Sequence, residues 1–263
     1  TTAKSSAASD VYKRQSPDTF SLMTFNIGYL SGMTNNLPLD RTKTLFDENL
    51  LATFRLMSTT AVDIVAFQEI DFDAQRSYRV NQLHELAESG AFKYSAEAVN
   101  WDKRYVPFPF WPPSKHFGRI LSGQALMSKY EISSSDRIVL PKPAANSYLY
   151  NAFYIDRVIQ IVTLDIDGQT IKLMNVHLEA FDSVTREQQA MRVLAIYRDL
   201  VAVYPVVLVG DFNSTPPFAS DRDGQDNTMY AFFNEQGWLR PFGRNITCRL
   251  NVNFLPTVQV TQK

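Results

Sequence analysis

Cysteine, histidine and net charge are what this sequence has least of. A single cysteine, Cys248, among 263 residues excludes an internal disulfide framework and any zinc site built on cysteines. Lys and Arg number 26 against 27 Asp and Glu, for a net charge of -1 and a sequence pI of about 6.3. No global positive field therefore draws the chain to nucleic acid or an anionic membrane, although a local patch stays open. No run approaches the roughly 18 apolar residues that span a bilayer. No basic-then-apolar leader precedes the first strand-like run, and no internal repeat, P-loop, dinucleotide glycine pattern or H-E-x-x-H appears. What remains is a chain that is 45% apolar, enough to bury a sizeable core and soluble as given. Residues 16–263 are expected to form one domain, acting as a monomer with no obligate protein partner.

Residues Thr1 to Gln15 are rich in Ser, Ala and Thr, lack an apolar period, and are expected to be disordered. Ser5 to Gln15, S-S-A-A-S-D-V-Y-K-R-Q, also resembles translated library-adaptor sequence. On that reading the natural N-terminus, with any export signal, is expected to be missing, so the compartment is unknown and a secreted or periplasmic location stays open.

The most informative stretch is Val206 to Pro217, V-V-L-V-G-D-F-N-S-T-P-P. Apolar residues without alternation predict a strand buried on both faces that delivers Asp211 at its end. Gly210 removes a side chain where the strand stops, and Pro216 and Pro217 forbid its continuation. Asp211 and Asn213, two apart on extended chain, point to one side. An Asx turn at a strand end would account for the same pair with no chemistry.

Other buried strands close in the same way. Phe20 to Asn26 ends on an amide, and Val62 to Ile70 carries Glu69 near its end. Arg157 to Asp165 and Thr170 to Leu178 form a hairpin around Asp167-Gly168, the second arm ending with Asn175 and His177 on one side. A lone histidine at a strand end is more often structural than functional. Further short strands are expected at Lys93 to Val99, Gly123 to Lys129 and Asp136 to Leu140. Apolar recurrence at three or four residues predicts helices over Arg41 to Thr60, Ser77 to Ser89, Thr185 to Tyr204 and Thr228 to Gln236, the third opened by a Thr185/Gln188 capping box. Asn100 to Arg119 holds four prolines and six aromatic residues and is expected to be a long loop, either lying on the core or stacking on substrate. Trp101, Arg119 and Asn175 are the expected substrate contacts.

Together, Asn26, Glu69, Asn175 with His177, and Asp211 with Asn213 form an ordered series of polar groups closing buried strands. Mg2+, or Mn2+ in its place, takes oxygen ligands, keeps several waters and needs one or two carboxylates, with Glu69 the natural ligand. Phosphate-ester hydrolysis then needs an in-line water, a group handling protons and neutralisation of developing charge. Asp211 suits the water, His177 and Asn213 the nonbridging oxygens, and Asn26 the support of Glu69 or a metal-bound phosphate.

The motifs F-N-I at Phe25 to Ile27, F-Q-E-I at Phe67 to Ile70, N-V-H-L at Asn175 to Leu178 and G-D-F-N at Gly210 to Asn213 resemble, in order, those of the endonuclease/exonuclease/phosphatase superfamily. The resemblance covers about Phe20 to Gly237. It implies a four-layer α-β-β-α sandwich, two mixed sheets flanked by helices, with a divalent-metal site at one edge. It implies phosphodiesterase, nuclease or phosphatase activity on a lipid headgroup, a sugar phosphate or nucleic acid. The family pattern closes with a Ser-Asp-His motif, whereas this chain has only His84, His116 and His177, none in such a setting. The final strands are therefore expected to be missing and the activity impaired. A non-catalytic binding domain on the same fold is the alternative.

Overall fold

The computed structural model describes residues 20–35, 37–39, 41–88, 92–215, 226–234 and 249–250. The leader at 1–15 and nearly all of the stretch after Trp238, where final strands were expected to be absent, lie outside the described residues. In chain order the elements are β1 (Ser21–Asn26), α1 (Lys43–Thr60), β2 (Ile64–Asp71), α2 (Gln82–Glu88), β3 (Tyr94–Val106), β4 (Gly118–Ser128), β5 (Glu131–Val139), α3 (Tyr148–Phe153), β6 (Val158–Ile166), β7 (Gln169–His177), α4 (Ser183–Val201), β8 (Val206–Asp211), α5 (Thr228–Phe233) and β9 (Arg249–Leu250). One sheet runs β3-β4-β2-β1-β9 and the other β5-β6-β7-β8. Both are mixed: β1 lies parallel to β2 and β9, and β7 parallel to β8, while the other pairs are antiparallel.

Three apolar layers account for the sandwich. Between the sheets, Ile64, Ala66 and Leu126 of the first meet Val162, Leu173 and Val209 of the second. On the outer face of the first sheet, Phe46 and Met57 of α1 and Leu86 of α2 cover Val65, Phe67 and Met127. On the outer face of the second, Ala190, Val193 and Leu194 of α4 cover Ile159, Met174 and Val176. Central strands thus bury both faces, which is why β2 and β6 read as continuous apolar runs rather than alternating ones. Among the described residues no helix is long and apolar enough to cross a membrane.

Polar amides also lie between the sheets. Asn175 of β7, wholly buried, accepts from Gln68 Nε2 at 2.6 Å and donates to Phe67 O at 3.0 Å and Gln160 Oε1 at 3.2 Å. Gln124 Nε2 of β4 donates to the Asn175 carbonyl at 2.8 Å.

Two expectations need correction, and one helix gave no signal in the sequence. The stretch from Asn100 is not loop throughout: β3 continues to Val106 and β4 starts at Gly118, so the connection spans only 107–117. The first proline is Pro107, and nothing before it denies β3 its ladder with β4, which runs through Trp101↔Ser122 and Val106↔Gly118. Helix α4 is capped by Asp182, whose carboxylate accepts from Val184 N, not by Thr185, whose hydroxyl donates to that carboxylate. Helix α3, six residues opened by Ser147 accepting from Tyr150 N, is too short to show a periodic pattern.

Candidate active site

Two parallel strand pairs, one from each sheet, end side by side. In the first, Asn26 of β1 is in register with Gln68, the residue before Glu69; in the second, His177 of β7 is in register with Asp211 of β8. The sheets join at this edge, where Asn26 Nδ2 donates to Asp211 Oδ2 at 2.8 Å. His177 Nε2 lies 3.8 Å from Glu69 Oε1 and 3.9 Å from Asp211 Oδ2. Five of the residues singled out in the sequence therefore share one rim: Asn26, Glu69, His177, Asp211 and Asn213.

Backbone geometry aims them. Between Phe67 and Ile70 the β2–β4 register slips by one residue, and Glu69 there takes φ 53°. A bulge of this kind turns a side chain out of the normal alternation, at a local strain of order 1–3 kcal/mol held by the surrounding sheet. Gly210 has φ +140°, and a Cβ on it would lie 1.9 Å from the Val176 carbonyl oxygen. Only glycine lets β7 and β8 close here, which brings Asp211 up to His177. Past the strand end the chain is not extended as expected but makes the Asx turn: Asn213 takes φ 48°, its N donates to Asp211 Oδ1 at 2.9 Å and its Nδ2 to Leu178 O at 2.9 Å. Asp211 is thus held from both oxygens.

Electrostatics divide the rim into two characters. Burial, with the Arg157 guanidinium second, holds the His177 imidazole well below its ordinary value, so it is neutral at pH 7. Its separations from the two carboxylates are accordingly not ion pairs, and they are too long for hydrogen bonds. Nδ1 is buried with no hydrogen-bond partner. That assigns the single proton to Nε2, facing the rim, since a buried N–H without an acceptor costs more than a bare lone pair beside apolar atoms. Burial pushes the Glu69 carboxyl above its usual range, against the amides of Asn26 and Asn35 and the cations Arg157 and Arg76. Asn35 Nδ2 donates to Glu69 Oε2 at 2.7 Å. Burial thus penalises the ionised form of Glu69, and a hard cation would favour it; Glu69 and Asn26 offer the oxygen donors such an ion takes. Among the described residues no cluster of three or more His, Cys, Asp or Glu forms a metal cage.

A cavity of about 950 Å³ opens from this rim, with Glu69, His177, Arg157 and Asn213 at one end. Its remaining wall is mostly aromatic and comes from β3, the 107–117 connection, α3 and the segment after β7. Tyr29 stands between cavity and core, with the Arg76 guanidinium carbon 3.4 Å from its ring centroid. Arg76 in turn is held by a bidentate, buried pair with Asp71 at 2.9 and 3.1 Å. A second cavity of about 610 Å³ lies behind Glu69, against α1.

The three expected substrate contacts fare differently. Trp101 lines the large cavity, its indole Nε1 donating to Phe153 O at 2.8 Å. Asn175 does not reach it: its side chain is enclosed between the sheets, with its amide fully engaged there. Arg119 is also displaced, pairing with Asp102 and with Asp73 at 3.7 Å and taking no part in the cavity wall. A site needs its basic group beside the acidic ones, and Arg157 stands in that place. It is buried, 3.8 Å from Glu179 Oε2, while Tyr154 OH donates to Glu179 Oε1 at 2.6 Å. The signal for Arg157 in the sequence is a charge set directly before V-I-Q-I-V, a run too apolar to admit an unpaired cation. Asn35 sits in a loop with no such signal.

A family profile described as endonuclease/exonuclease/phosphatase family matches residues 23–255. Among curated proteins no sequence matches the chain. Solved structures share its architecture. An endonuclease/exonuclease/phosphatase from Beutenbergia cavernae superposes with a TM-score of 0.56 at 21% identity, over 81% of this chain and 53% of that one. A Bacteroides thetaiotaomicron mannosyl-6-phosphatase gives 0.52 at 13% identity, over 81% and 69%. The human Nocturnin catalytic domain with bound sulfate anion gives 0.52 at 15%, over 83% and 68%. The chain thus spans about half the length of the first of these and about two thirds of the others.

Proposed function

Because the chain belongs to the endonuclease/exonuclease/phosphatase family, we propose that it hydrolyses phosphate esters with a divalent cation, magnesium or manganese, held by Glu69 and Asn26. The observation that carries this reading is the meeting of two carboxylates around one neutral imidazole, at 3.8 and 3.9 Å from Nε2, at an edge where four strands from two sheets end. The cation would bind a nonbridging phosphate oxygen and neutralise charge there.

The protein groups divide the remaining work. Asp211, steered by Asn26 on one oxygen and Asn213 N–H on the other, accepts a hydrogen bond from the attacking water and takes its proton as the O–P bond forms. His177, neutral with its proton on Nε2, donates to a nonbridging oxygen. Arg157 supplies a fixed positive charge as negative charge builds on the phosphoryl oxygens. The ester P–O bond then breaks, and the leaving oxygen is protonated by solvent. The solved structures named mannosyl-6-phosphatase and Nocturnin with bound sulfate anion support this reading by their names and choose no substrate here.

The test is magnesium-dependent release of 4-nitrophenol from bis(4-nitrophenyl) phosphate and 4-nitrophenyl phosphate. Activity in either that EDTA stops and Asp211→Ala abolishes is expected. Robust turnover by Asp211→Ala would remove the role assigned to it. No turnover, together with magnesium binding indifferent to Glu69→Ala in calorimetry, would leave a binding domain.

A further inference from the structure

The wall of the large cavity names the kind of ester. Its charged groups, Glu69, Arg157 and His177, lie together at the rim, while farther out the side-chain polar atoms are few and mostly engaged. Trp101 Nε1 is bound to Phe153 O, Tyr154 OH to Glu179, and Ser147 Oγ to Tyr150 N. What faces the space is ring and aliphatic surface: Phe108 and Phe117, 5.4 Å apart edge to face, with Val106, Pro107 and Ile155. A sugar or a nucleobase needs hydrogen-bond partners along its edges, and a site that leaves them unmatched rejects it. A polyanion needs several cations, and Arg157 is the one lysine or arginine among the lining residues described.

At the mouth the apolar surface continues into solvent. Phe110, Leu149 and Phe181, which line the cavity, are 68%, 74% and 83% exposed. They come from three separate segments, the 107–117 connection, α3 and the chain after β7, so their meeting at one opening is a property of the fold. Large exposed apolar side chains gathered around a cavity mark a binding surface. Because the cavity is continuous with the rim, its occupant is the alcohol part of the ester whose phosphate the rim binds.

We propose that the substrate is an amphiphilic phosphate ester, with its phosphate at Glu69, His177 and Arg157 and a bulky apolar group in the aromatic cavity reaching the Phe110–Leu149–Phe181 mouth. This rests on the hydrolase reading of the rim, and the experiment separates the two. Ethyl, butyl and octyl phosphate are titrated against the protein with magnesium by calorimetry, below their micellar concentrations, alongside turnover of bis(4-nitrophenyl) phosphate. Burial of one methylene is worth about fourfold in affinity, from ~0.8 kcal/mol each. Half of the six added methylenes entering the cavity makes octyl phosphate bind about 60-fold tighter than ethyl. In Phe110→Ser/Leu149→Ser, both exposed and outside the core, that gradient is expected to fall at least fivefold with ethyl phosphate binding and thermal stability unchanged.

Affinity independent of chain length, with the diester still hydrolysed, overturns the amphiphile and keeps the hydrolase. A steep gradient without turnover of any ester overturns the hydrolase and keeps an amphiphile site. A gradient that survives in the double variant places the alkyl chain elsewhere and overturns the proposal as stated. Vesicles of phosphatidylcholine with and without phosphatidic acid then distinguish a bilayer-borne ester, which would retain the protein on sedimentation, from a dissolved one, which would not.

Discussion

The closest backbone approach at the site yields the sharpest prediction. Gly210 faces the Val176 carbonyl so closely that an added methyl would sit 1.9 Å from the oxygen and 2.7 Å from the Val176 nitrogen. Both obstacles are backbone, so the Gly210→Ala strand must move by about 1.5 Å to restore van der Waals contact. Overpacking of this kind costs about 1–3 kcal/mol, and alanine at φ +140° adds about 1–2 kcal/mol of backbone strain. A total near 3 kcal/mol lowers the melting temperature of a domain this size by roughly 6–12 °C. Gly168 provides the control. It has φ +83° in the β6–β7 turn, with nothing within 4 Å of a built Cβ, so Gly168→Ala carries strain alone and loses roughly 2–4 °C. Function divides the pair further, since a shift near 1 Å at Asp211 costs about 10²-fold in rate, while the turn is remote. Differential scanning calorimetry and diester hydrolysis on both variants read the outcome. Equal melting temperatures with full activity in Gly210→Ala would refute the claim that this contact sets the position of Asp211.

Three further outcomes are expected. Asn175→Ala removes the 2.6 Å acceptor of Gln68 Nε2 and the donor to Gln160 Oε1 between the sheets and should lower stability by about 2–4 kcal/mol in urea unfolding; a lost rate with unchanged midpoint would return Asn175 to the substrate. Arg157→Met should cost about 10²-fold or more in turnover and, by removing the second cause of its depression, raise the pKa of the His177 imidazole; an unmoved His177 titration by NMR would show that Arg157 lies outside its field. Because the folded His177 pKa lies below the unfolded one, the unfolded chain takes up protons first as pH falls. Stability is therefore lost below about pH 6.5, by up to about 1.4 kcal/mol per unit. Glu69, shifted upward, acts in the opposite sense near its own pKa, so the measurement is the difference in slope between the wild type and His177→Asn in EDTA, and identical slopes would contradict a buried neutral imidazole.

Most of the rim was legible because buried strands announce themselves by composition and must put their first polar group where burial ends. Asn26, Glu69, His177 and Asp211 all followed from that rule, and four motifs in order named the family. Asn175 obeyed the same rule and was misplaced, because what encloses it comes from β2, β4 and β6, and no local pattern reports that those strands point three glutamines at one spot. The 100–119 stretch was read as loop from its prolines, yet they begin only at Pro107, and seven residues ahead of them were free to pair. Arg157 went unremarked since a single arginine before a strand looks like a solvated end until the neighbouring sheet buries it.

The amides of Gln68, Gln124, Gln160 and Asn175 have a consequence for the pairing of the two halves of the molecule. Greasy surfaces alone would let one layer glide a pleat past the other with small loss, since methyl groups accept many neighbours. A donor or an acceptor accepts one bearing, so this knot permits a single alignment. Asn26 and Glu69 ride on one layer while His177 and Asp211 ride on the other. The knot works as a dowel, fixing the mate of reactive groups that no covalent link or shared strand holds together.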